Sequence, residues 1–560
     1  DHFFDTRLTA QTPDAELNDA LRWAEISIEQ ARVSSPIGSG LAGGWYTSGD
    51  SARPGFGWFF GRDTLWTLYA VNSYGDFQLS REAMDFLLAH QRADGKMMHE
   101  YSQTAELVDW IHLPYLYAAA DSTPLFVMQM ADYVSASGDV GYLREHWDKV
   151  KRAYAFTRAH TTNGVYDNLQ GTGWVEEWLP KMPQQEIYLA ALDQQSSDAM
   201  THLAKWMGDD ALASSATQQA KTTREYLATY RNTDGLYSFS RNTDGTFDAR
   251  ATVFPTVAWW SGSLTLPQAD ATFDAWASSR FATDWGMRSM IEGAPTFDPL
   301  SYHHGSVWPL YTGWTSLAEY RANRPQAGFA SLKQNAQLTW LQDPGAVTEV
   351  LSGEFYQPLG RSSSHQLWSS AMVLAPAVRG LFGIETDAMN GRLRVDPKLP
   401  AQWTEASLKN VPFGDTRLEI AMHRAGPNLE VEVISPKPIK LCLQSSKEFF
   451  EAASCSGAEA LNHRLRIPLP AVEVELEQKS PQPGDRTEQA KFIRQEEGVR
   501  SLQLKLEVPR GTTQRLYLRT NGALRNLKVE GARRDQDWIV VSGDAGNGYS
   551  ERTVEISWSK

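Results

Sequence analysis

The sequence predicts a mainly α-helical protein: an (α/α)6 barrel followed by a C-terminal β-sandwich region. Twelve helical patterns precede residue 385, and the connections between them alternate between short and long. After residue 385 the apolar residues alternate as they do in strands, with Pro and Gly between the runs. We therefore expect a barrel domain over 1–385, a β-sandwich over 386–476, and a β-rich extension over 477–560 that belongs to the same or to a second sandwich.

The helical patterns pair into six hairpins. A lead-in of about twelve residues, which we expect to be loose, precedes the first pattern, with Thr12 or Asp14 as its cap. The predicted helices cover 14–33, 62–75, 79–92, 122–137, 139–162, 184–208, 210–232, 252–262, 266–278, 305–323, 325–341 and 364–381. Each even-numbered helix runs directly into the next odd-numbered one, whereas a long loop follows each odd-numbered helix. Six inner and six outer helices would then form a ring with all long loops at one end, and such loops usually carry function.

Composition limits the kinds of partner that this chain can bind. The 560 residues are 42% hydrophobic and carry a formal net charge of -14, with no long runs of Lys or Arg. Nucleic acid and anionic membrane surfaces are therefore excluded as expected partners. No apolar run approaches the roughly 18 residues of a spanning helix. Oligomeric state stays open.

The cysteines and the first residues bear on location. Cys442 and Cys455 could form one disulfide in an exported protein or stay reduced. The chain opens on Asp1 and His2 without an initiator Met, so we expect a mature or trimmed form. Export, to the periplasm or the medium, is the favoured location.

Tryptophan is unusually frequent, with 20 residues, and many of them lie near glycines and carboxylates. Flat rings among carboxylates suit a sugar, whose C–H faces stack on the ring while its hydroxyls are hydrogen-bonded. The expected partner is therefore a carbohydrate.

The third long loop contains the strongest candidate for chemistry, the stretch 172–178. Glu176 and Glu177 stand between Trp174 and Trp178. Indole walls would desolvate a carboxyl group and raise its pKa, as a general acid near neutral pH requires. The alternative is that both are ordinary carboxylates at a helix N-terminus. Glu176 is the expected acid, and Glu177 a sugar-binding or pKa-tuning neighbour.

Candidate binding residues precede the second and fourth helices. Arg62 and Asp63 could bind adjacent sugar hydroxyls as donor and acceptor, and Trp58 lies just before them. In the second loop Trp110 is a candidate pocket residue, whereas we interpret Asp121 as mainly structural, a helix cap. The histidines have no ligand-like spacing, so we expect neither a metal ion nor any other cofactor.

The fifth and sixth loops supply the remaining candidates. Their shared property is a polar or aromatic side chain next to a glycine or at the start of an inner helix. They are Trp285, Arg288, His303, His304, Trp308, Glu349 and Trp368. Glu349 and Glu176 are distant carboxylates on one rim, which suits an acid and a base on either side of a glycosidic bond.

Together these motifs resemble the amylo-α-1,6-glucosidase, or glycogen-debranching glucosidase, group and more distantly the glucoamylases. Gly-Arg-Asp-Thr at 61–64 is similar to the family's Trp-Gly-Arg-Asp-Thr. Ser-Tyr-His-His-Gly-Ser-Val-Trp-Pro at 301–309 differs from the family motif by His304 in place of Asn. Trp-Gly-Met-Arg at 285–288, Trp-Val-Glu at 174–176 and Glu349 follow the family's order.

The resemblance spans about 40–383 and implies an (α/α)6 barrel and inverting hydrolysis of an α-linked glucosyl unit. It makes Glu176 the general acid, Glu349 the base that activates water, and Arg62 and Asp63 the residues that hold the non-reducing sugar. Two features depart from the family: a short lead-in stands before the barrel in this sequence where the family usually has a β-rich domain, and the tail from Gly391 looks more like that of α-L-rhamnosidases.

The expected function is that of an inverting, exo-acting glycoside hydrolase that releases α-linked glucose. An α-L-rhamnosidase-like or other α-glycosidase is one alternative. A polysaccharide lyase that uses Tyr302 and His303 with an arginine is a second, and a non-catalytic sugar-binding protein is a third.

Overall fold

The computed structural model describes residues 2–45, 56–445 and 458–559. Its α-helices are α1 (Ala15–Gln30), α2 (Gly61–Tyr74), α3 (Phe77–Ala89), α4 (Ser122–Ser137), α5 (Val140–Ala159), α6 (Ile187–Trp206), α7 (Asp210–Leu227), α8 (Asp270–Ala277), α9 (Pro309–Arg321), α10 (Pro325–Gln337) and α11 (Leu367–Pro376). Each corresponds to one of the predicted helices. The exception is the predicted helix over 252–262, which is a short 3-10 helix at Phe254–Trp259.

The strands are β1 (Thr9–Gln11), β2 (Arg32–Ser35), β3 (Gly38–Leu41), β4 (Phe59–Phe60), β5 (Glu100–Tyr101), β6 (Thr161–Thr162), β7 (Val165–Tyr166), β8 (Gln185–Glu186), β9 (Ser238–Arg241), β10 (Phe247–Ala251), β11 (Ile384–Asp387), β12 (Arg392–Val395), β13 (Glu405–Phe413), β14 (Thr416–Ala425), β15 (Asn428–Lys440), β16 (Cys442–Gln444), β17 (Glu459–Pro468), β18 (Val472–Leu476), β19 (Lys491–Glu497), β20 (Ser501–Pro509), β21 (Thr513–Thr520), β22 (Arg525–Glu530), β23 (Arg533–Asp535), β24 (Trp538–Ser542) and β25 (Tyr549–Ser559).

Six segments pack in sequence and close on themselves. α2 packs against α4, α4 against α6, and α6 against the 3-10 helix at Phe254–Trp259; that helix packs against α9, α9 against α11, and α11 returns to α2. α3, α5, α7 and α10 pack on the outside of their hairpin partners, and α1 lies against α10 and α11. This is the ring order that the alternating loop lengths predict.

Inner and outer helices begin differently. Asp14, Asp76, Asp139 and Asp209 cap α1, α3, α5 and α7, and each carboxylate accepts a hydrogen bond from the backbone N–H three residues later. The residues at the start of α2, α4, α6, α9 and α11 make no such bond. The first N–H groups of α2 and α11, at Gly61 and Leu367, instead donate to the backbone carbonyl oxygens of His99 and Gly43.

Aromatic side chains fill the centre of the ring. The Trp66 ring lies 4.8 Å from that of Trp314 and 5.1 Å from that of Trp260, and Tyr188 stacks on Trp314 at 5.5 Å. All four are buried. Part of the high tryptophan content is thus packing of a large core rather than sugar binding.

The N-terminal lead-in is ordered, contrary to the expectation of a loose segment. β1 pairs antiparallel with β13, and Ala10 lies opposite Leu408. The Asn410 side-chain amide donates to the carbonyl oxygens of Phe4, Asp5 and Arg7. A strand of three residues is too short to show the alternation of apolar and polar residues in the sequence. The pairing with β13 therefore determines that this segment is a strand.

Four larger sheets follow or join the helices. A five-stranded sheet, β1-β13-β14-β15-β17, and a three-stranded sheet, β11-β12-β16, share the core of the helical ring. The sheets β18-β21-β24-β23 and β19-β20-β25-β22 enclose a core of their own, which includes Leu504 and Leu516. The strand at Val472–Leu476, inside the predicted 386–476 segment, pairs within this second group.

Cys442, at the start of β16, is disulfide-bonded, and Cys455 lies outside the described residues. Among the helices that the structure describes, none combines the length and apolarity that crossing a bilayer requires.

The contact between the lead-in and β13 gives a stability test. Ala10 is 7% exposed, whereas its neighbour Gln11 is exposed. A10D places a charge in the buried face of β1 and should lower the free energy of unfolding by about 3 kcal/mol. Q11D, on the solvent face of the same strand, is the matched control and should change it by less than about 0.5 kcal/mol. Urea denaturation followed by tryptophan fluorescence measures both, and equal effects would contradict a packed lead-in.

Candidate active site

The N-termini of three inner helices meet at one buried carboxylate. Asp121, just before α4, accepts hydrogen bonds from Arg62 Nε of α2 at 2.5 Å and from the Tyr188 hydroxyl of α6 at 2.9 Å. Asp121 therefore joins helices instead of capping its own, which corrects the interpretation from sequence. A fourth inner helix joins them because Gln366, at the start of α11, donates to Asp63 Oδ1 at 3.0 Å.

Arg62 connects this buried centre to the loop that carries Glu176. Its Nη2 donates to the carbonyl oxygen of Gly173, and its Nη1 lies 3.7 Å from Glu176 Oε1. Burial alone would lower the pKa of Arg62, but Asp121, Tyr188 and Glu176 together outweigh it and raise that pKa. The guanidinium is thus a permanent cation beneath the loop.

The 172–178 stretch lies in a loop, and α6 begins only at Ile187. The alternative of ordinary helix N-terminal carboxylates is therefore wrong. The prediction that indole rings desolvate these carboxyl groups is also wrong, because Trp174 and Trp178 are buried whereas Glu176 and Glu177 are exposed. The Glu176 side chain is 45% exposed.

The two tryptophans of this loop anchor it to the fifth loop. Trp174 packs edge-on against Trp308 at 4.8 Å and against His303 at 5.3 Å. Trp178 stacks on His304 at 4.9 Å, and its Nε1 donates to an Asp248 carboxylate oxygen at 2.9 Å. The loop therefore holds two buried tryptophans as anchors and leaves the two carboxylates between them exposed.

Glu349 is the buried counterpart of Glu176. Its two carboxylate oxygens accept hydrogen bonds from the Tyr302 hydroxyl and, at 3.0 Å, from the Ser363 N–H. Burial raises the pKa of Glu349 to about 7; the two donors and Arg361 oppose the shift, and the charge of Glu176 adds to it. The electrostatic influence of Glu176 on Glu349 supports a shared site for the two carboxyl groups. A carboxyl group with a pKa near 7 is suited to proton transfer at neutral pH.

Two histidines and an arginine complete the surroundings of Glu349. The Arg361 guanidinium lies 3.9 Å from the centre of the Tyr302 ring. Burial lowers the pKa of His303 to about 3, and the charges of His304, Arg361 and Arg62 contribute. Burial also lowers the pKa of His304. Both imidazoles are therefore neutral at pH 7 and can act as hydrogen-bond partners.

The other predicted site residues are mostly buried supports. Trp58 and Trp110 pack together at 4.9 Å. Trp285 Nε1 donates to the Ser352 carbonyl oxygen at 2.9 Å, and Arg288 Nε donates to the Gly353 carbonyl oxygen at 2.7 Å. Trp285 and Arg288 thus hold the loop that carries Glu349. Trp308 and Trp368 are also buried, with ring centres 6.3 Å apart.

Sequence reasoning missed a group of polar residues at or near the inner-helix starts: Asp121 as a connector, Glu186, Tyr188 and Gln366. Glu186 immediately precedes α6 and is fully buried. The signal that could have found them is positional. Asp121, Glu186 and Gln366 each immediately precede an inner helix, close to the level of Arg62 and Asp63 at the first turn of α2.

Three solved structures of glycoside hydrolases have a similar fold. A sialidase superimposes with a TM-score of 0.61 and 13% identity over 76% of this chain and 40% of its own. The GH78 rhamnosidase of Bacillus sp. GL1 gives 0.57 and 13% over 79% and 43%. A bacterial glucoamylase in complex with acarbose gives 0.51 and 12% over 68% and 57%.

This chain covers less than two thirds of the length of each of these proteins. Neither a protein-family model nor a curated protein sequence matches it. At such low identities the similarity shows the fold, and the fold is one that glycoside hydrolases use.

The buried Arg62–Asp121 pair gives a test of the site's electrostatics. R62M leaves Asp121 buried without its cation and should lower the free energy of unfolding by about 3 kcal/mol. R62M/D121N removes both charges and should be less destabilised than R62M. E176Q removes only the exposed partner of Arg62 and should cost less than about 0.5 kcal/mol. Urea denaturation compares the three, and a double variant as unstable as R62M would contradict the pairing.

Proposed function

We propose that this protein is an inverting, exo-acting glycoside hydrolase that releases α-linked glucose from an oligo- or polysaccharide, with its site at the N-terminal end of the inner ring of an (α/α)6 barrel. One observation carries the proposal: the carboxyl groups of Glu176 and Glu349, from two different loops, share this end of the ring, and the charge of Glu176 contributes to the raised pKa of Glu349. One is exposed and the other is buried, so their environments differ as those of an acid and a base should.

Glu349 is suited to the role of base. Both of its oxygens accept hydrogen bonds, which orients the carboxylate, and the raised pKa makes it a stronger base than a solvated glutamate. Glu349 would take a proton from a water molecule whose oxygen then bonds to the anomeric carbon. Inversion requires the two carboxyl groups to be roughly 6.5–9.5 Å apart, so that this water fits between the base and the sugar.

Glu176 is suited to the role of acid because it stands at the open edge of the site. Its proton would pass to the glycosidic oxygen as the bond to the anomeric carbon breaks, and the leaving sugar would depart into solvent. Arg62, 3.7 Å away, orients the carboxyl group from below. After one turnover Glu176 has lost a proton and Glu349 has gained one, so exchange with water restores both.

Asp63 offers the binding group for the terminal sugar. Burial raises its pKa well above the usual value; Arg62 opposes this, and Glu100 and Glu349 add to it. A protonated Asp63 can donate a hydrogen bond to a sugar hydroxyl. The part of the substrate on the leaving-group side would contact Glu177, His304 and the edge of Trp178. On that side Trp178 stacks on His304, and the charge of Glu177 opposes the lowering of the His304 pKa.

The motifs favour glucose among the sugars that this fold serves. The three similar structures are named for different activities, so the fold leaves the sugar open. The Gly-Arg-Asp-Thr segment at 61–64 and the Ser-Tyr-His-His-Gly-Ser-Val-Trp-Pro segment at 301–309 resemble those of the debranching glucosidase group, and they supply Asp63, Tyr302 and His304 to the site.

The lyase alternative conflicts with the state of Tyr302. A lyase would need this tyrosine to lose its proton, but burial and the charge of Glu349 raise its pKa well above 10. The hydroxyl instead donates to Glu349. These contacts favour hydrolysis, with Tyr302 as the residue that orients the base.

Conservative amide substitutions test the two roles. E176Q and E349Q should each lower kcat on α-glucosides by at least about 100-fold, because general acid and base each contribute on that scale. Sugar binding, measured by calorimetry, should persist in both variants. E106Q, an exposed glutamate of the second loop, is the matched control and should retain wild-type turnover. NMR of the first-formed product should show the β-anomer of glucose. A first-formed α-anomer, or turnover retained in both amide variants, would sink the mechanism.

The Tyr302 hydroxyl predicts a shift in the pH profile. Glu349 must be ionised to act as a base, so kcat/KM should rise with pH through about 7, the pKa that burial gives this carboxyl group. The Tyr302 hydroxyl lowers that pKa. Y302F removes this donor, so the rising limb should move to higher pH by about one unit, since a hydrogen bond to a charged group contributes about 1.5 kcal/mol.

Y356F serves as the control for Y302F, because Tyr356 is a buried tyrosine that packs on Trp285 without acting on the pKa of Glu349. Its profile should match that of the wild type. If the rising limb of the kcat/KM profile stays at the same pH in Y302F, or moves by the same amount in Y356F, the role of Tyr302 is contradicted.

A further inference from the structure

Glu186 is a fully buried carboxylate that the mechanism above does not use. It is the last residue before α6, and its backbone N–H donates to Asn168 Oδ1 at 2.9 Å. Its side chain lies directly under the backbone of Gly173: a Cβ atom added to that glycine would stand 2.1 Å from Glu186 Oε2. Gly173 has no side chain because the carboxyl group occupies that space.

The backbone at Gly173 and Trp174 is held from both directions. Arg62 donates to the Gly173 carbonyl oxygen, and on the other side the Glu186 carboxyl group contacts Gly173 and interacts with the Trp174 N–H. Two residues further along the chain is Glu176, which also faces Arg62. The position of Glu176 therefore depends on Arg62 and Glu186, which contact the backbone of the same loop at Gly173.

We propose that Glu186 is a positioning residue: with Arg62, it clamps the Gly173–Trp174 backbone so that Glu176 stands at the open edge of the site. The catalytic part of this inference rests on the proposed function, in which Glu176 is the acid. The clamp itself does not, because it concerns only the loop and what lies beneath it.

The charges around Glu186 favour its neutral form. Burial raises its pKa to about 8, the charge of Asp121 adds to the shift, and Arg62 opposes it. The charge of Glu186 contributes to the raised pKa of Tyr230, and the Tyr188 hydroxyl donates a hydrogen bond to Asp121. At neutral pH the Glu186 side chain is therefore uncharged. Above pH 8 a second negative charge would appear next to Asp121, and the two carboxylates would compete for Arg62.

Substitutions of Glu186 distinguish the effect of its side-chain volume from the effect of its charge. E186Q keeps the volume and the acceptor oxygen, so the loop should stay in place. E186A empties the space under Gly173, and hydrogen exchange at the peptide covering 172–178 should become about tenfold faster. In the same variant kcat should fall about tenfold with a smaller change in KM, because the acid rather than the binding residues is displaced. E106Q, on the second loop, is the exchange control and should match the wild type.

Two further measurements distinguish positioning from a general loss of packing. In the wild type, exchange of 172–178, corrected for the intrinsic effect of pH, should accelerate between pH 7 and pH 9, whereas E186Q should show no such change because it cannot ionise. G173A should displace the carboxyl group and accelerate exchange, and G173A/E186A, which has room for the new methyl group, should recover part of the loss relative to G173A alone.

The outcomes of the two proposals are separable. A wild-type protein that hydrolyses no glycoside would overturn the proposed function, and the exchange data would still decide the role of Glu186. Exchange of 172–178 in E186A equal to that of the wild type would overturn the clamp, whatever the activity. Equal exchange and kinetics in E186Q and E186A would overturn it as well, because the side chain's acceptor and volume would then be irrelevant.

Discussion

The ion pair between Arg62 and Asp121 is the contact on which the candidate site depends. Asp121 is buried without a helix-capping role, and it accepts from residues of two other inner helices. Two charges removed from water require close pairing and further hydrogen bonds, and this pair has both. The rest of Arg62 then reaches upward to the Gly173 carbonyl oxygen and toward Glu176, so the buried pair positions an exposed group.

The uncapped inner helices explain why polar residues gather at this end. Four of the outer helices, α1, α3, α5 and α7, satisfy a first-turn N–H group with the aspartate that precedes them. The inner helices lack such caps, and the positive ends of their dipoles point to the same region. Two carboxyl groups at these starts, those of Asp63 and Asp121, are held by partners from neighbouring helices. The same arrangement suits a site that must bind hydroxyls and move protons.

The helical part of the fold could be predicted from sequence because its signals are long and periodic. Eleven helices were found in place, and loop lengths alone indicated which of them are inner. Short elements are less well predicted: β1 exists because β13 offers it an edge, and the helix expected over 252–262 is a 3-10 helix of six residues at Phe254–Trp259. For the site, motifs indicated Glu176 and Glu349 as candidates. Glu186 was missed because its significance lies in the contact with Gly173, which no local pattern encodes.

The contrast between Glu176 and Glu349 follows from how their loops are held. The tryptophans around Glu176 are anchors: Trp174 and Trp178 turn inward against His303 and His304, whereas Glu176 between them is exposed. Glu349 sits where its loop pairs with the segment at Ser363, so its carboxylate turns inward and meets Tyr302. Solvent exposure of one carboxyl group and burial of the other are thus consequences of backbone direction. The indole rings of Trp174 and Trp178 thus act on the position of Glu176 rather than on its solvation.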